Sequence, residues 1–341
     1  MIANKTVLVT GGAGSVGRIL VRQLLDRNPE VIRILDQSEP GLSRLKSQID
    51  DERCRFLMGN VRDKDRLARA MNGVDIVIHT AAMKHVDISE YNPFEAVKTN
   101  VMGLQNVVDA AIDADVNRFV FTSSDKAAHP ANTMGTTKLL GEKLVTAANK
   151  YSGGHDIQLC SVRFGNVINS SQSVIPIFKR QIETVGPVTV TEPQRSRFVL
   201  TYNEVTELVI DAMNHTKAGE IFIQKMDAIA IEDLAEAMID VFAPAYDHPP
   251  TEIKIEETGS RIGETLDEKI LTKQEELRTV ENDSLYAILP EQSEGDDYLD
   301  HSTLDGFDPV ETVVRSSEHA DKLSQPDIRH LLRSEFAGVL A

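Results

Sequence analysis

The sequence is short of three things, and each shortage excludes something. It has only two cysteines in 341 residues, Cys54 and Cys160. Two thiols cannot make a disulfide framework, so a reducing compartment is the default. Each lies in an apolar run and reads as a small core residue. No apolar run approaches the roughly 18 residues of a membrane-spanning helix. The opening MIANKTVLVTGG enters a strand pattern at once, without signal-peptide architecture. The expectation is a soluble, cytoplasmic protein with no membrane insertion. Basic charge is the third shortage: 36 Lys and Arg stand against 53 Asp and Glu, a formal net charge of −17. Phosphate contacts to nucleic acid need clustered Lys and Arg, so a general nucleic-acid binder is excluded. No His, Cys, Asp and Glu cluster has zinc spacing, so no metal is indicated.

What is present is ordinary for a globular chain: 41% hydrophobic and 26% charged residues, long enough for about two domains. The charge is uneven. Residues 251–341 carry 22 acids and 9 bases, and ten acids with no base lie between Arg278 and Arg315. The segment 279–314 therefore reads as a solvated surface stretch.

The first half alternates short apolar runs (6–10, 31–35, 55–58, 76–79, 119–122, 157–162) with amphipathic helix patterns (18–27, 41–49, 64–71, 93–113, 134–150). Unbroken apolar strands separated by helices imply βαβ units and a parallel sheet buried on both faces. The expected fold is α/β: a Rossmann-type doubly wound parallel sheet with a smaller C-terminal substrate-binding lobe. Residues 1–167, with about 200–225, are expected to form the dinucleotide domain, and 168–199 with 226–341 the lobe. The later pattern is looser, with helices at 175–183, 203–215, 231–242 and 325–336 and strands at 220–224 and 253–255.

Between the first strand and helix lie Gly11, Gly14 and Gly17, spaced G-x-x-G-x-x-G. Glycines permit a sharp turn and close approach to a pyrophosphate, and the helix N-terminus offers free N–H groups. Gly11, Gly14, Ser15, Val16 and Gly17 are thus candidate cofactor contacts. Asp36, 19 residues after Gly17, ends the second strand. A carboxylate there accepts from ribose hydroxyls and repels a 2′-phosphate, which favours NAD over NADP. Asn60 and Val61, after the third strand, suit the adenine edge.

The segment Thr122-Ser123-Ser124-Asp125-Lys126 ends another strand in hydroxyls and an Asp-Lys pair, and a later helix carries Lys138. The G-x-x-G-x-x-G spacing resembles the short-chain dehydrogenase/reductase superfamily, and the length resembles its extended, nucleotide-sugar branch. In that branch Ala81 and Ala82, in His79-Thr80-Ala81-Ala82, look like the motif lining the cofactor, and Asn100 like the helix residue supporting the site. Most members place a Tyr four residues before the helix Lys. Here that position is Met134, and a thioether carries no proton.

The whole segment resembles the nucleotide-sugar 4,6-dehydratases of the polysaccharide-biosynthesis (CapD-like) family, above all those acting on UDP-N-acetylglucosamine, some branches of which show Met at this position. Asp36-Gln37-Ser38-Glu39, Ala81-Ala82-Met83-Lys84-His85-Val86, Glu90-Tyr91-Asn92-Pro93, Lys98-Thr99-Asn100-Val101, Arg163-Phe164-Gly165-Asn166-Val167, Ser173-Val174-Ile175-Pro176, Gly186-Pro187-Val188-Thr189-Val190-Thr191 and Thr258-Gly259-Ser260-Arg261-Ile262-Gly263-Glu264 extend the resemblance in order. Gln172 and Thr265 depart from it, where relatives usually have Gly and Lys.

The resemblance implies oxidation at C4 of the sugar, elimination of water across C5 and C6, and hydride return to C6. By it, Asp125 is the acid toward the C6 hydroxyl and Lys126 the base at C5. Ser124 hydrogen-bonds near C4, and Lys138 holds the nicotinamide ribose. Lys138, Asp125 and a water stay open as the acceptor of the C4 proton, and C5 inversion stays open. Lys84 is expected near cofactor and sugar, and Asn166, Val174, Arg197, Arg261 and Glu264 near the UDP-sugar. His85 and His129 read as structural. By the resemblance, the helices at 94–113 and 134–150 lie where relatives build a dimer interface, which implies a homodimer or higher homo-oligomer. A UDP-sugar 4-epimerase and a non-catalytic dinucleotide sensor are the alternatives.

Overall fold

The computed structural model describes residues 1–170, 174–217, 219–259, 265–291 and 304–340. The chain runs β1 (Thr6–Thr10), α1 (Ser15–Leu25), β2 (Val31–Asp36), α2 (Glu39–Gln48), β3 (Cys54–Met58), α3 (Lys64–Met71), β4 (Ile76–His79), α4 (Val86–Tyr91), α5 (Pro93–Ala96), α6 (Gly103–Asp113), β5 (Arg118–Thr122), α7 (Thr133–Ala148) and β6 (Gln158–Arg163). It continues through β7 (Asn166–Val167), α8 (Val174–Glu183), β8 (Val188–Val190), β9 (Ser196–Leu200), α9 (Tyr202–His215), β10 (Ile221–Gln224), β11 (Ala228–Ala230), α10 (Ile231–Phe242), β12 (Ile255–Glu257), α11 (Lys273–Glu276), β13 (Thr279–Glu281), β14 (Leu285–Ile288), β15 (Asp308–Pro309) and α12 (Gln325–Glu335).

The chain divides into two compact units. The first, residues 1–164, 202–225 and 271–313, is built on one sheet of order β15-β13-β14-β10-β6-β5-β4-β1-β2-β3. From β3 through β10 the strands are parallel. The order 3-2-1-4-5-6 makes this a Rossmann-type doubly wound sheet. The mostly apolar strands account for it: β1 and β4 are buried at every position, with Thr6, Thr10 and His79 at their ends. Helices cover both faces with narrow apolar stripes, as in α1, where Gly17, Leu20, Val21 and Leu24 are buried at helical spacing. Strand order reverses between β1 and β4, whose last residues Thr10 and His79 lie side by side. Ligands of such sheets bind outside the carboxyl ends of the strands at this switch point.

Two expectations need correction. The acidic 279–314 stretch contains β13 and the fully buried β14, which pairs antiparallel with β10. Residues 271–313 accordingly fold with the Rossmann sheet rather than with a C-terminal lobe. Four apolar residues in a row outweigh the acids around them, because strand burial is decided locally.

The second unit comprises 165–201, 226–270 and 314–341. It holds a three-stranded sheet, β11-β9-β7, and the two-stranded parallel pair β12-β8. Phe178, Ile182, Leu234, Met238, Phe242, Ile328, Leu332 and Phe336 form its core. The closing helix α12 begins at Ser324, which forms a capping box with Asp327.

Candidate active site

The glycine turn is closed so tightly that side chains would not fit. Gly11 has φ +68°, and a Cβ there would meet Ala81 N at 2.6 Å; one on Gly17 would meet Gly11 O at 2.4 Å. The N-cap of α1, Gly14, makes no side-chain cap bond, so no side chain of the cap competes for the first-turn N–H groups. An anion-binding helix start beside a Cβ-free turn fits a dinucleotide pyrophosphate. Asp36 is fixed at the turn: Oδ2 accepts from Ala13 N at 3.0 Å and Oδ1 from Ser38 N at 2.8 Å. Its remaining lone pairs can still accept from hydroxyls. Asn60 Nδ2 donates to Gln37 at 2.9 Å, and Val61 is buried. Lys84 Nζ donates to Ser15 Oγ at 3.2 Å. Burial, and then Arg18, lower the Lys84 pKa.

Ala81 and Ala82 follow β4 and are half-buried. The chain just beyond them is held by Asn100. Its Oδ1 accepts from Met83 N at 2.7 Å, and its Nδ2 donates to Met83 O at 3.0 Å and to Thr137 Oγ1 at 2.9 Å. The predicted 93–113 helix is continuous, but its turn Val97–Met102 is a π-helix. Such turns recur at functional sites, and this one carries buried Asn100. Periodicity alone contained no signal for it.

Lys138 is buried on α7. Its Nζ donates to the Thr122 carbonyl at 2.7 Å and lies 4.7 Å from the Phe121 ring centroid. Burial lowers its pKa to about 8. Met134, one turn earlier, is buried too. Beneath them His79 Nδ1 is 2.7 Å from Thr10 Oγ1, and its Nε2 has no hydrogen-bond partner among the described residues. Burial first, then Lys138, push the His79 pKa down to about 3, so the ring is neutral.

The Asp-Lys pair sits on a short 3₁₀ turn, Asp125–Ala127, at the end of β5. The end of β6 holds this turn: Ser123 N donates to Val162 O at 2.7 Å and Asp125 N to Phe164 O at 3.0 Å. Asp125 is 2% exposed, so its charge depends on the donors around it. Oδ1 accepts from Ser124 Oγ at 2.7 Å, Lys126 N at 2.8 Å and Lys126 Nζ at 3.2 Å. The start of α7 packs directly on this turn. Gly135, which sequence reading passed over, permits it, since a Cβ there would meet Lys126 O at 2.4 Å. Asn132 caps the helix by accepting from Gly135 N at 2.8 Å.

Arg163 entered the sequence reading only as part of a motif. It is fully buried and bridges Glu142 and Glu275 at 2.6 and 2.8 Å.

In the second unit, Asn166 Nδ2 donates to Glu268 at 2.9 Å. Arg197 donates to the carbonyls of Ser196, Thr265 and Leu266 at 2.6 to 2.9 Å, and its Nε is 3.4 Å from Glu268. So engaged, the guanidinium anchors the 265–268 segment. Buried Glu268 joins these two candidates and was missed, because an isolated Glu in an acidic stretch carries no signal. Val174 begins α8 and is half-buried. Arg261, Glu264 and Gln172 lie outside the described residues. Both cysteines are buried and free. Among the described residues no cluster could hold a metal, and no helix is long and apolar enough to cross a membrane.

The sequence pattern of the polysaccharide biosynthesis protein family matches residues 7–290. The chain is 39% identical over 292 residues to a UDP-N-acetylglucosamine 4,6-dehydratase (inverting) of Campylobacter jejuni, covering 85% of this chain and 84% of that one. It is 35% identical over 292 residues to a UDP-glucose 4-epimerase of Rickettsia prowazekii, covering 84% of each. The X-ray structure of Pen from Bacillus thuringiensis is similar over 98% of both chains, with TM-score 0.89 and 38% identity.

Proposed function

The chain belongs to the polysaccharide biosynthesis protein family, and from that premise we propose that it is a nucleotide-sugar 4,6-dehydratase acting on UDP-N-acetylglucosamine. The observation that carries the reading is the Asp125–Lys126 pair: a buried carboxylate and an ammonium 3.2 Å apart at the carboxyl end of β5. A reaction that only oxidises and reduces C4 needs one group to take and return the C4 hydroxyl proton. Elimination of water needs an acid and a base in addition.

NAD, when bound, supplies a hydride acceptor for C4 and a hydride donor for C6. The glycine turn and the start of α1 would hold its pyrophosphate, and Asp36 would take its ribose hydroxyls, a carboxylate that favours NAD over NADP. Lys138 orients the nicotinamide ribose. Ser124 hydrogen-bonds the sugar at C4. The C4 hydroxyl gives up its proton as the C4–H bond breaks, leaving a 4-ketone. Lys138 is the acceptor that fits best, because burial brings its pKa to about 8, and Met134 cannot take part. The ketone acidifies C5–H. Before elimination the Lys126 ammonium passes a proton to Asp125 across their hydrogen bond. The neutral amine of Lys126 then removes the C5 proton while Asp125 delivers its proton to the departing C6 hydroxyl, water leaves, and the ion pair is restored. Lys126, protonated by the C5 hydrogen, is placed to return a proton to C5, and the reduced cofactor would supply the hydride for C6. Asn166, Val174, Arg197, Arg261 and Glu264 are the proposed contacts to the UDP-sugar.

The second reading, a UDP-sugar 4-epimerase, is favoured by the Rickettsia relative. Incubation with UDP-N-acetylglucosamine, followed by mass spectrometry and proton NMR, separates the two. Loss of one water is expected. An unchanged mass with inverted C4 would establish the epimerase, and NAD binding without turnover of any nucleotide sugar would establish a sensor.

A further inference from the structure

We propose that Glu142 and Arg163 are a positioning pair for Lys138: Glu142 is the carboxylate that sets how readily the lysine releases its proton, and Arg163 fixes that carboxylate in place. Glu142 lies four residues after Lys138 on α7, one turn along the same face. Arg163 grips it with a fork, Nε to Oε1 at 2.9 Å and Nη2 to Oε2 at 2.6 Å. The other side of the guanidinium meets Glu275 of α11 at 2.8 and 3.2 Å, and Glu275 is itself held by Thr272 N at 2.9 Å. Arg163, Glu142 and Glu275 are 0%, 1% and 8% exposed.

Stability is a poor reason for this arrangement. A buried ion triad is no better than well-packed apolar side chains, and often worse. What it does provide is a buried carboxylate held in one place by two guanidinium hydrogen bonds. Its field acts on Lys138 through a medium that screens little. Glu142 raises the proton affinity of Lys138 against the lowering effect of burial. The lysine is thus set between two opposing influences.

Among the other charged groups, Arg278 interacts with Glu142, Glu275 and Arg163 and lies 3.6 Å from Glu291, which also pairs with Lys143 of α7 at 3.4 Å. On its own side of the sheet Lys138 faces neutral His79 of β4 and the uncharged Thr122 carbonyl of β5. Asp125 and Lys126 of the 3₁₀ turn pair with each other, and Lys98 of the π turn pairs with Glu95 of α5. Glu90 of α4 accepts from Thr133 N at the start of α7. Asp87 of α4 is exposed; Asp109 and Asp113 lie on the outer part of α6, and Arg118 begins β5, at the end opposite Thr122.

The test is a titration of Lys138 that needs no turnover. In protein carrying ¹³Cε-labelled lysine, the Lys138 signal is assigned by its loss in Lys138→Met, and its midpoint is read from the pH dependence of the shift. Glu142→Gln keeps the Arg163–Glu275 pair, so the fold has its ion partner. The midpoint should fall by about 0.5–1 pH unit. Glu142→Asp, which retains the charge, should recover at least half of that fall. An unchanged midpoint in Glu142→Gln, or an equal fall in Glu142→Asp, overturns the pair. A second measurement rests on the dehydratase reading: the pH limb of turnover should move with the NMR midpoint. Midpoints that move as stated in a protein without dehydratase turnover would refute that reading and leave the positioning pair standing.

Discussion

The carboxylate of Asp125 and the ammonium of Lys126 lie 3.2 Å apart, and one oxygen of that carboxylate receives three donors from residues 124 and 126. Lys126→Met removes the proposed C5 base and leaves the glycine turn untouched. Dehydration should fall by a factor of about 10²–10⁴. Affinity for NAD, measured by calorimetry, should stay within about twofold, because no cofactor contact is altered. Asp125→Asn should lose a similar factor while keeping the Ser124 hydrogen bond. Full activity in either variant would remove that residue from the mechanism.

Asn100 fixes two segments with one amide, so its loss should appear in stability as well as rate. Asn100→Ala leaves the Met83 N–H and carbonyl without their side-chain partner. A cost of about 1–3 kcal/mol is expected in denaturant unfolding. Asn100→Asp should be closer to Ala than to wild type, because the carboxylate can accept from Met83 N but cannot donate to Met83 O or Thr137. Equal stability of all three proteins would show that the amide holds nothing.

The parallel sheet and the glycine turn were legible because their signals are local. Buried parallel strands must be apolar throughout, and the turn must have glycine where a Cβ would strike Ala81 or Gly11. The helix over 93–113 was legible by its period, but its π turn was not, since the change of hydrogen-bond partner from i−4 to i−5 carries no residue-type signature. Arg163 was invisible as a network because its partners, Glu142 and Glu275, are 21 residues before it and 112 after. The strand Leu285–Ile288 was hidden because four apolar residues among acids fall below any averaging window. The hold of Arg197 on the Thr265 and Leu266 carbonyls was not legible, because sequence does not show which backbone oxygens a guanidinium reaches.

Lys138 also makes a prediction about pH. Its folded pKa is about 8 against an ordinary value of 10.5, so the folded state disfavours the charged form. Below pH 8 both folded and unfolded chains carry the proton, and burial of the charge costs its full amount. Between pH 8 and 10.5 the unfolded chain binds more protons, so stability rises with pH. The gain of wild type over Lys138→Met across that window should be on the order of 3 kcal/mol. Paired urea melts at pH 7.5 and 10 measure it. A difference that does not change with pH would mean the lysine titrates normally.

Asp36 should decide the cofactor. Asp36→Asn keeps an acceptor for Ala13 N but removes the negative charge that repels a 2′-phosphate. The ratio of NADP to NAD affinity should rise by about tenfold or more, the equivalent of about 1.4 kcal/mol. Titration of the two cofactors against intrinsic protein fluorescence gives both constants. An unchanged ratio would assign Asp36 to the turn alone, where it already binds two backbone N–H groups.

The helices of residues 86–113 leave apolar side chains in water. Tyr91 is 88% exposed, Phe94 80% and Met102 58%, and Ile88 and Val97 are exposed as well. Scattered single exposures are normal, but five within fifteen residues of consecutive helix are a candidate contact surface. The family resemblance implies a contact between copies through the helices at 94–113 and 134–150, the first of which carries Phe94, Val97 and Met102. Phe94→Asp puts a charge at its centre without touching the core, since the side chain is already outside. Light scattering after size exclusion should show wild type as a dimer or larger and the variant with a dissociation constant at least about tenfold weaker, for each ~1.4 kcal/mol lost. Its melting temperature at high concentration should fall with the lost association. A wild-type chain that is monomeric at all concentrations would refute the assignment.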